Sequence, residues 1–224
     1  MYKIIETHCH LDYLKDKPLE EIIQDASDNG IQKIMTIAVE PDNFDVVFEL
    51  AKNHEQIFCS QGIHPHDAKL CTAEALKIIE ERQSHSKVLA VGEIGLDYHY
   101  DNSPREKQRE VFRAQLEIAI RTNKPVVIHS RDADDDMILM LKELAPKMSK
   151  KGVIHSFTAG PELAQIAIDL GFYLGFNGII TFKKAENVRD IVRLCPIEKI
   201  LLETDAPFLT PIPHRGKELS LIHI

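Results

Sequence analysis

The sequence predicts a single α/β domain folded as a (β/α)₈ barrel. Two observations predict this class: short, near-continuous apolar runs recur along the 224 residues, and amphipathic stretches of helical length separate them. Near-continuous apolar runs are typical of strands buried on both faces of a parallel sheet. A doubly wound open sheet is the alternative arrangement of the same elements. No Gly/Ser-rich linker divides residues 1–224, so one domain is expected.

Eight segments have the composition of buried strands, and seven stretches of helical length lie between them. The predicted strands are residues 3–10, 31–39, 57–64, 88–97, 125–130, 152–157, 172–178 and 199–205. The clearest predicted helices are residues 19–30, 103–124, 134–147 and 161–171. The second of these begins with Ser103 and Pro104, which favour a helix N-terminus. The third begins with acids, which the helix dipole stabilises.

The end of the chain departs from the full barrel pattern. Residues 206–224 are barely enough for a loop and an eighth helix of ordinary length. The last segment reads ELSLIHI and has no amphipathic helical pattern, as if the chain were truncated or frame-shifted. The last helix is therefore expected to be missing or atypical. Apolar surface on the first and eighth strands is then expected to be uncovered.

Charge and cysteine content restrict the function. The formal net charge of −8 excludes a generally basic surface for duplex nucleic acid or an anionic membrane. A phosphate substrate held by metal ions is compatible with it, because bound cations dominate local charge. The four cysteines lack metal-finger spacing, and no apolar run is long enough to span a membrane. With no signal peptide visible, these features predict a reducing, cytoplasmic location and no membrane partner.

Potential metal ligands and acids occur at the C-terminal end of most predicted strands. They are His8, His10, His64, Glu93, His129, His155, Glu203 and Asp205. In a barrel these strand ends meet at one mouth, where the active sites of this fold lie. Each side chain alone is most simply a hydrogen-bonded core or loop residue. Buried together, several imidazoles and carboxylates are best explained by cations that pair with them.

The residue types suit two neighbouring divalent cations. One possible ligand set consists of His8, His10 and Asp205. A second half-site consists of His129 and His155, and Glu93 lies between the two groups in strand order, where its two oxygens can bridge. Mixed imidazole and carboxylate ligands suit Zn, Mn, Fe or Co, whereas Mg prefers oxygen. Paired cations can activate water and stabilise both attacking and leaving oxygens.

His64 is the candidate substrate contact among the remaining histidines. It ends the third strand and is expected to face the mouth. Pro65 turns the chain after it, so His66 is expected to point away from the site. His99 lies outside a strand end and is expected on a surface loop.

Three cations near the predicted strand ends can contact a phosphate. Arg131 directly follows the strand of His129 and either binds a phosphate bidentately or forms a structural salt bridge with a nearby Asp. Lys183 and Lys184 follow the seventh strand and either line the rim near a phosphate or are simply solvated.

The chain resembles the TatD family of metal-dependent deoxyribonucleases, within the amidohydrolase-like barrel superfamily. Six motifs occur in family order: THCHLD, GIHPH, VGEIGLDYH, KPVVIHSRDA, IHSFTAG and KILLETDAPFLTPIPHRGK. The resemblance implies two divalent metal ions, Mg, Mn or Zn. It implies that one ion has the ligands His8, His10 and Asp205, that the other has His129 and His155, and that Glu93 bridges them. It also implies Asp205 as the base, His64 and Arg131 as substrate contacts, and Glu203 as support behind a ligand.

The reaction implied by this resemblance is hydrolysis of a phosphodiester by two-metal activation of water, as a 3′-5′ exonuclease on single-stranded or damaged DNA. Net acidity suits a site that takes DNA ends better than one that coats duplex. The alternative is an ester or amide hydrolase, such as an aminoacyl-tRNA deacylase, on the same metal scaffold. A third hypothesis is a barrel that binds metal but has no enzymatic activity. In the family, an Asn-Glu-Pro segment and a final helix pair are expected after HRGK, and this chain lacks them.

Overall fold

The computed structural model describes residues 3–221 and contains one sheet of eight parallel strands in the order β1 to β8. The strands are β1 (Ile4–Cys9), β2 (Ile31–Ile37), β3 (Ile57–Gln61), β4 (Val88–Asp97), β5 (Val126–Arg131), β6 (Gly152–Ile154), β7 (Tyr173–Phe176) and β8 (Ile200–Leu202). All eight predicted strands are confirmed, and several end earlier than predicted. The mouth is consequently built from loop residues as well as strand residues.

Seven α-helices alternate with these strands in the described part of the chain. They are α1 (Leu19–Asp28), α2 (Phe44–Asn53), α3 (Ala73–Arg82), α4 (Arg105–Thr122), α5 (Asp134–Leu144), α6 (Pro161–Asp169) and α7 (Glu186–Leu194). Between residues 3 and 221 none of them is long and apolar enough to cross a membrane.

The sheet curls until β8 meets β1 at the mouth. Cys9 pairs with Ala206 in a parallel bridge, and the His10 N–H donates to the Ala206 carbonyl at 2.7 Å. The Asp205 N–H donates to the His8 carbonyl at 2.9 Å. Each strand pairs with the next one along the chain, so the doubly wound alternative is excluded. Closure brings the ends of β1 and β8 side by side.

The barrel interior has an apolar layer beneath its polar mouth. Ala90, Val127 and Val153 form a separate buried cluster, against which Met35 and Leu201 pack. Val127 and Val153 precede His129 and His155 by two positions, and residues two apart in a strand face the same side. The polar side chains of the mouth therefore lie directly above a packed apolar layer.

The start of α4 differs from the prediction that Ser103 caps it. The helix begins at Arg105, after Pro104, and Ser103 makes no cap hydrogen bond to it. The Ser103 hydroxyl instead donates to the His66 carbonyl at 2.7 Å and accepts the Lys69 N–H at 3.1 Å. Ser103 therefore holds the loop after β3 in place, and this loop carries residues of the mouth.

After β8, the described residues contain no further α-helix. Leu219 and Leu221 are buried, and the Leu219 N–H donates to the Pro207 carbonyl at 3.0 Å. The outer faces of β1 and β8 are open: Ile5 is 58% exposed and Leu202 is 60% exposed. Residues 222–224 of the atypical ELSLIHI segment lie outside the described residues.

Candidate metal centre at the barrel mouth

The C-terminal ends of the strands open into a cavity of about 990 Å³, which we call the main cavity. Most of the predicted site residues line it: His10, His64, Glu93, His129, Arg131, His155 and Asp205. His8 lies directly below, 1% exposed, in contact with Glu93 and Asp205. The structure thus brings together the side chains that the sequence scattered over six strands.

Glu93 is the centre of this cluster, and its two oxygens face different histidines. Oε1 lies 2.7 Å from His155 Nε2, 3.2 Å from His129 Nδ1 and 3.4 Å from His64 Nε2. Oε2 lies 3.4 Å from His8 Nε2. The sequence had indicated that Glu93 ends its strand, but Glu93 lies in the middle of β4. This arrangement allows one carboxylate to serve two neighbouring cations.

Asp205 completes the cluster from the segment after β8. Its Oδ1 lies 3.5 Å from both His8 Nε2 and His10 Nε2. Its φ of 63° is in the left-handed region, which Asp tolerates better than most residues. Burial would raise the pKa of Asp205, but the hydrogen bond from His10 and the facing His8 imidazole lower it. Asp205 is therefore ionised at neutral pH.

Among residues 3–221, three sets of ligand atoms lie close enough together to hold an ion. They are His8, His155 and Asp205; His8, His10 and Glu93; and His64, Glu93 and His129. His8 occurs in two of these sets and Glu93 in two. The grouping differs from the predicted one in two ways: His64 is placed with Glu93 and His129, and His155 is placed with His8 and Asp205 instead of with His129. All three sets are nevertheless drawn from the predicted site residues.

Two features of the histidines fit a metal ion rather than a purely hydrogen-bonded cluster. His10 Nδ1 lies 3.3 Å from the Ile37 carbonyl, which only accepts, so Nδ1 carries a proton and Nε2, which faces Asp205, is the ring nitrogen that would bind an ion. Both ring nitrogens of His8 are buried and have no hydrogen-bond partner in the described residues. Buried polar groups are rarely left unpaired, and a cation would satisfy Nε2, the nitrogen that faces Glu93 and Asp205.

The charge balance of the cluster also favours cation binding. Burial would raise the pKa of Glu93, but the facing imidazoles of His155 and His64 and hydrogen bonds from His129 and His155 hold it well below its usual value. Burial, together with the neighbouring His155 imidazole, lowers the pKa of His8. Burial and the His129 imidazole lower the pKa of His64 to about 4. Glu93 is therefore ionised, and His8 and His64 are neutral. Burial would lower the pKa of His129 and of His155, but the carboxylates of Asp97, Glu93 and Glu203 raise it, so these two rings would release a proton on binding an ion.

Glu203, which the resemblance implies as support behind a ligand, lies next to His155. Its Oε1 lies 3.5 Å from His155 Nδ1 and accepts the Ser156 N–H at 2.6 Å. Gly175 in β7 makes room for this carboxylate, because a Cβ there would lie 2.5 Å from Glu203 Oε2. A carboxylate behind a histidine fixes the ring orientation and increases its basicity.

Asp97 is a site residue that sequence reasoning missed. It is fully buried at the end of β4, and its Oδ2 lies 3.0 Å from His129 Nε2 and 3.1 Å from His66 Nε2. Burial would raise its pKa, but these hydrogen bonds and that from the Tyr100 N–H lower it. The prediction that His66 points away is wrong, because His66 lines the main cavity. An acid ending a predicted strand was the available signal.

Glu6 was also missed, although it is an acid within an apolar first strand. It is completely buried, and its Oε1 accepts the N–H groups of His8 at 3.0 Å and Thr204 at 3.2 Å. Its Oε2 has no hydrogen-bond partner in the described residues. Burial raises the pKa of Glu6 from 4.5 to about 8. Glu6 thus links the backbone of β1 to the segment directly after β8, below the histidines of the mouth.

The arginines at the rim differ from the other arginines of the chain. Seven form ion pairs with carboxylates: Arg82, Arg105, Arg109, Arg113, Arg121, Arg189 and Arg193. Arg131 and Arg215 make none within the described residues, and both line the main cavity. The Arg131 guanidinium lies 4.9 Å from the Tyr100 ring, and that of Arg215 lies 4.3 Å from the Phe182 ring. The salt-bridge alternative for Arg131 is therefore not formed.

His99 lies in an exposed turn after β4, as expected, and this turn belongs to the same rim. It lines the main cavity, and its Nδ1 lies 2.9 Å from Asp132 Oδ2. This contact occupies the acid that follows Arg131 in the sequence. Asp132 is thereby paired with a histidine, which leaves the Arg131 guanidinium available to an anion.

Known proteins resemble this chain along nearly its whole length. A family model for TatD related DNase matches residues 5–223. The uncharacterized metal-dependent hydrolase YabD of Bacillus subtilis (strain 168) is 40% identical, and the match covers 96% of this chain and 84% of YabD. The uncharacterized metal-dependent hydrolase TatD of Mycobacterium tuberculosis is 32% identical over 95% of this chain and 83% of the relative. The crystal structure of YJJV, a TatD homolog from Escherichia coli, has a TM-score of 0.90 at 32% identity and covers 98% of this chain and 85% of its own.

Proposed function

This chain belongs to the family of TatD-related DNases, and we propose from its site that it is a deoxyribonuclease that removes nucleotides from the 3′ ends of single-stranded or damaged DNA. The broader class is a metal-dependent hydrolase, as its relatives are named. The nuclease proposal rests on two arginines, Arg131 and Arg215, which line the main cavity and form no ion pair with a carboxylate among the described residues. Although the net charge of the chain is −8, these two guanidinium groups lie beside the cluster of carboxylates and imidazoles, where a phosphate would lie.

Aromatic side chains around the same cavity support a nucleic-acid substrate. Tyr13, Tyr100 and Phe208 line it together with the arginines. Unpaired bases stack on aromatic rings, whereas bases within a duplex are already stacked on one another. A cavity of about 990 Å³ accommodates a nucleotide rather than a helix. These features favour single strands and frayed ends.

We assign two divalent cations to the cluster, with Mg, Mn and Zn as the candidates. The proposed ligands are His8, His10 and Asp205 for one ion, His129 and His155 for the other, and Glu93 for both. When bound, such ions neutralise phosphate charge and lower the pKa of a water molecule. The histidine-rich ligand set favours Mn or Zn over Mg.

The remaining steps are assigned to protein groups. Asp205 is ionised and directed into the cavity, so it can orient the attacking water and accept its proton. His64 Nδ1 accepts the His66 N–H at 3.2 Å, so the proton of this neutral ring is on Nε2. Nε2 can then donate to a phosphate oxygen. Arg131 holds the phosphate from the opposite rim and stabilises the negative charge that develops there.

A degradation assay tests the proposal. A 5′-labelled single-stranded oligodeoxynucleotide is incubated with the protein and Mn, Mg or EDTA, and the products are resolved by length. The expected result is a metal-dependent ladder that shortens from the 3′ end and stops at a 3′-terminal phosphorothioate cap. Products that appear equally from the capped strand would contradict the 3′ polarity, and intact DNA from metal-loaded protein would contradict the nuclease.

The ester hydrolase alternative is distinguished in the same experiment. A 3′-aminoacylated oligonucleotide carries the same phosphates and adds one ester bond. Release of the amino acid from an otherwise intact strand would identify an ester hydrolase. The nuclease predicts loss of the aminoacylated nucleotide as a unit.

A further inference from the structure

A second cavity of about 620 Å³ adjoins the main cavity, and we call it the side cavity. The two share Thr158, Ile179, Phe182 and Arg215, so a ligand can extend from one into the other. Resting on the nuclease function proposed above, we propose that the side cavity is a subsite for the phosphates of the DNA strand that continues beyond the scissile bond. The enzyme would then recognise more than the nucleotide it removes.

The charges of the side cavity support a phosphate ligand. Lys183 and Lys184 line it, both are exposed, and neither contacts a carboxylate within residues 3–221. Arg215 stands at the boundary, with its guanidinium over the Phe182 ring and with no carboxylate partner among the described residues. Cations without a carboxylate partner can each pair with a phosphate of a single strand.

The start of α7 lies at the same wall. Ala185, Asn187 and Val188 line the side cavity, and they belong to the cap and first turn of α7. The first N–H groups of a helix have no acceptor within the helix, and they favour anions. Glu186 at this turn is paired with Arg189 and Arg193, so its charge is largely offset.

A third cavity disfavours another path for the strand. It shares Asp132 and Thr158 with the main cavity, and Arg105, Asp134, Asp135 and Asp136 also line it. A phosphodiester chain would be repelled there, because like charges at short distance cost free energy. The strand is therefore expected to leave the main cavity past Phe182 and Arg215, toward the two lysines.

The test compares two double variants that remove the same charge. Lys183→Ala/Lys184→Ala removes the proposed contacts, and Lys142→Ala/Lys147→Ala removes two exposed lysines that line none of these cavities. Binding of a fluorescein-labelled thymidine hexamer with phosphorothioate linkages is measured by anisotropy on metal-loaded protein at several salt concentrations. Hydrolysis is measured with an ordinary hexamer and with bis(p-nitrophenyl) phosphate, a diester without a continuing strand.

The proposal predicts that the first double variant lowers the slope of log Kd against log salt by about 1.4, since each single-strand phosphate contact contributes about 0.7. Its kcat/KM for the hexamer should fall roughly tenfold, with bis(p-nitrophenyl) phosphate hydrolysis unchanged. The second double variant should match the wild type. If both double variants behave alike while the wild type digests the hexamer, the subsite is refuted and the nuclease stands. Failure of the wild type on both substrates would instead refute the nuclease.

Discussion

The imidazoles of His8 and His155 stack face to face, with ring centroids 3.8 Å apart and planes inclined by 6°. The two residues come from opposite parts of the barrel, one from β1 and one directly after β6. His8 belongs to one of the two proposed ligand sets, and His155 belongs to the other. The two proposed ion positions are therefore neighbours, and Glu93 faces both rings.

Metal binding should stabilise the fold through His8. Adding Mn or Zn to metal-free protein is expected to raise its Tm, because an ion present at 100 times its Kd adds about 2.7 kcal/mol to the free energy of unfolding. His8→Asn should lose most of this increase. His214→Asn, at an exposed position outside the cluster, should retain it. Equal metal-induced increases in all three proteins would remove His8 from the ligand set.

Asp97→Asn should weaken metal binding without unfolding the protein. The neutral amide holds His129 less firmly and makes the imidazole less basic, which typically costs about 10–100-fold in metal affinity. Competition with a chelating dye measures this affinity. Asp132→Asn is the matched control, because Asp132 pairs with His99 at the exposed rim. Unchanged affinity in Asp97→Asn would show that Asp97 does not position His129.

Glu6 should make stability depend on pH. Its folded-state pKa is raised from 4.5 to about 8, so the unfolded chain releases this proton at lower pH than the folded protein does. The contribution of protonated Glu6 to the free energy of unfolding is fully present below about pH 4.5 and is lost as pH rises towards 8. The free energy then falls by at most about 1.4 kcal/mol per pH unit. Urea unfolding of metal-free wild type and Glu6→Gln should therefore diverge across this range. Parallel curves would contradict the raised pKa.

The open faces of β1 and β8 should tolerate polar residues. Ile5→Thr and Leu202→Thr are each expected to change the free energy of unfolding by less than about 0.5 kcal/mol, since both side chains are already mostly exposed. The double variant should also bind less of a hydrophobic fluorescent dye. Leu174→Ala, at a fully buried position of β7, should cost about 2–5 kcal/mol. If Ile5→Thr lowered the free energy of unfolding as much as Leu174→Ala does, the outer face of β1 would be covered.

The barrel was predictable because its parallel strands are buried on both faces and their apolar runs are therefore nearly uninterrupted. Most of the site was predictable for a related reason: polar residues at the ends of such runs have few explanations other than a shared mouth. Glu203 and Asp205 are examples, directly after β8. The strand lengths were less predictable, because β6 and β8 end once their pairing partners diverge.

Asp97, Glu6 and His66 were missed because their roles depend on distances across the barrel. Asp97 follows an apolar run, but only the folded structure shows that it contacts both His129 and His66. Glu6 is an isolated acid whose acceptor role depends on the N–H of Thr204, 198 positions later in the chain. Hydrogen bonds across such separations leave no periodic pattern in the sequence.

We propose that Glu93 joins two metal sites into one hydrolytic centre. The most direct test compares wild type and Glu93→Gln for bound metal per chain and for shortening of a single-stranded oligodeoxynucleotide. The wild type is expected to bind two ions and to shorten the strand only with metal, and the variant is expected to lose at least one ion and about 100-fold or more of the rate. A folded Glu93→Gln protein that keeps both the metal content and the rate would show that Glu93 does not join two metal sites.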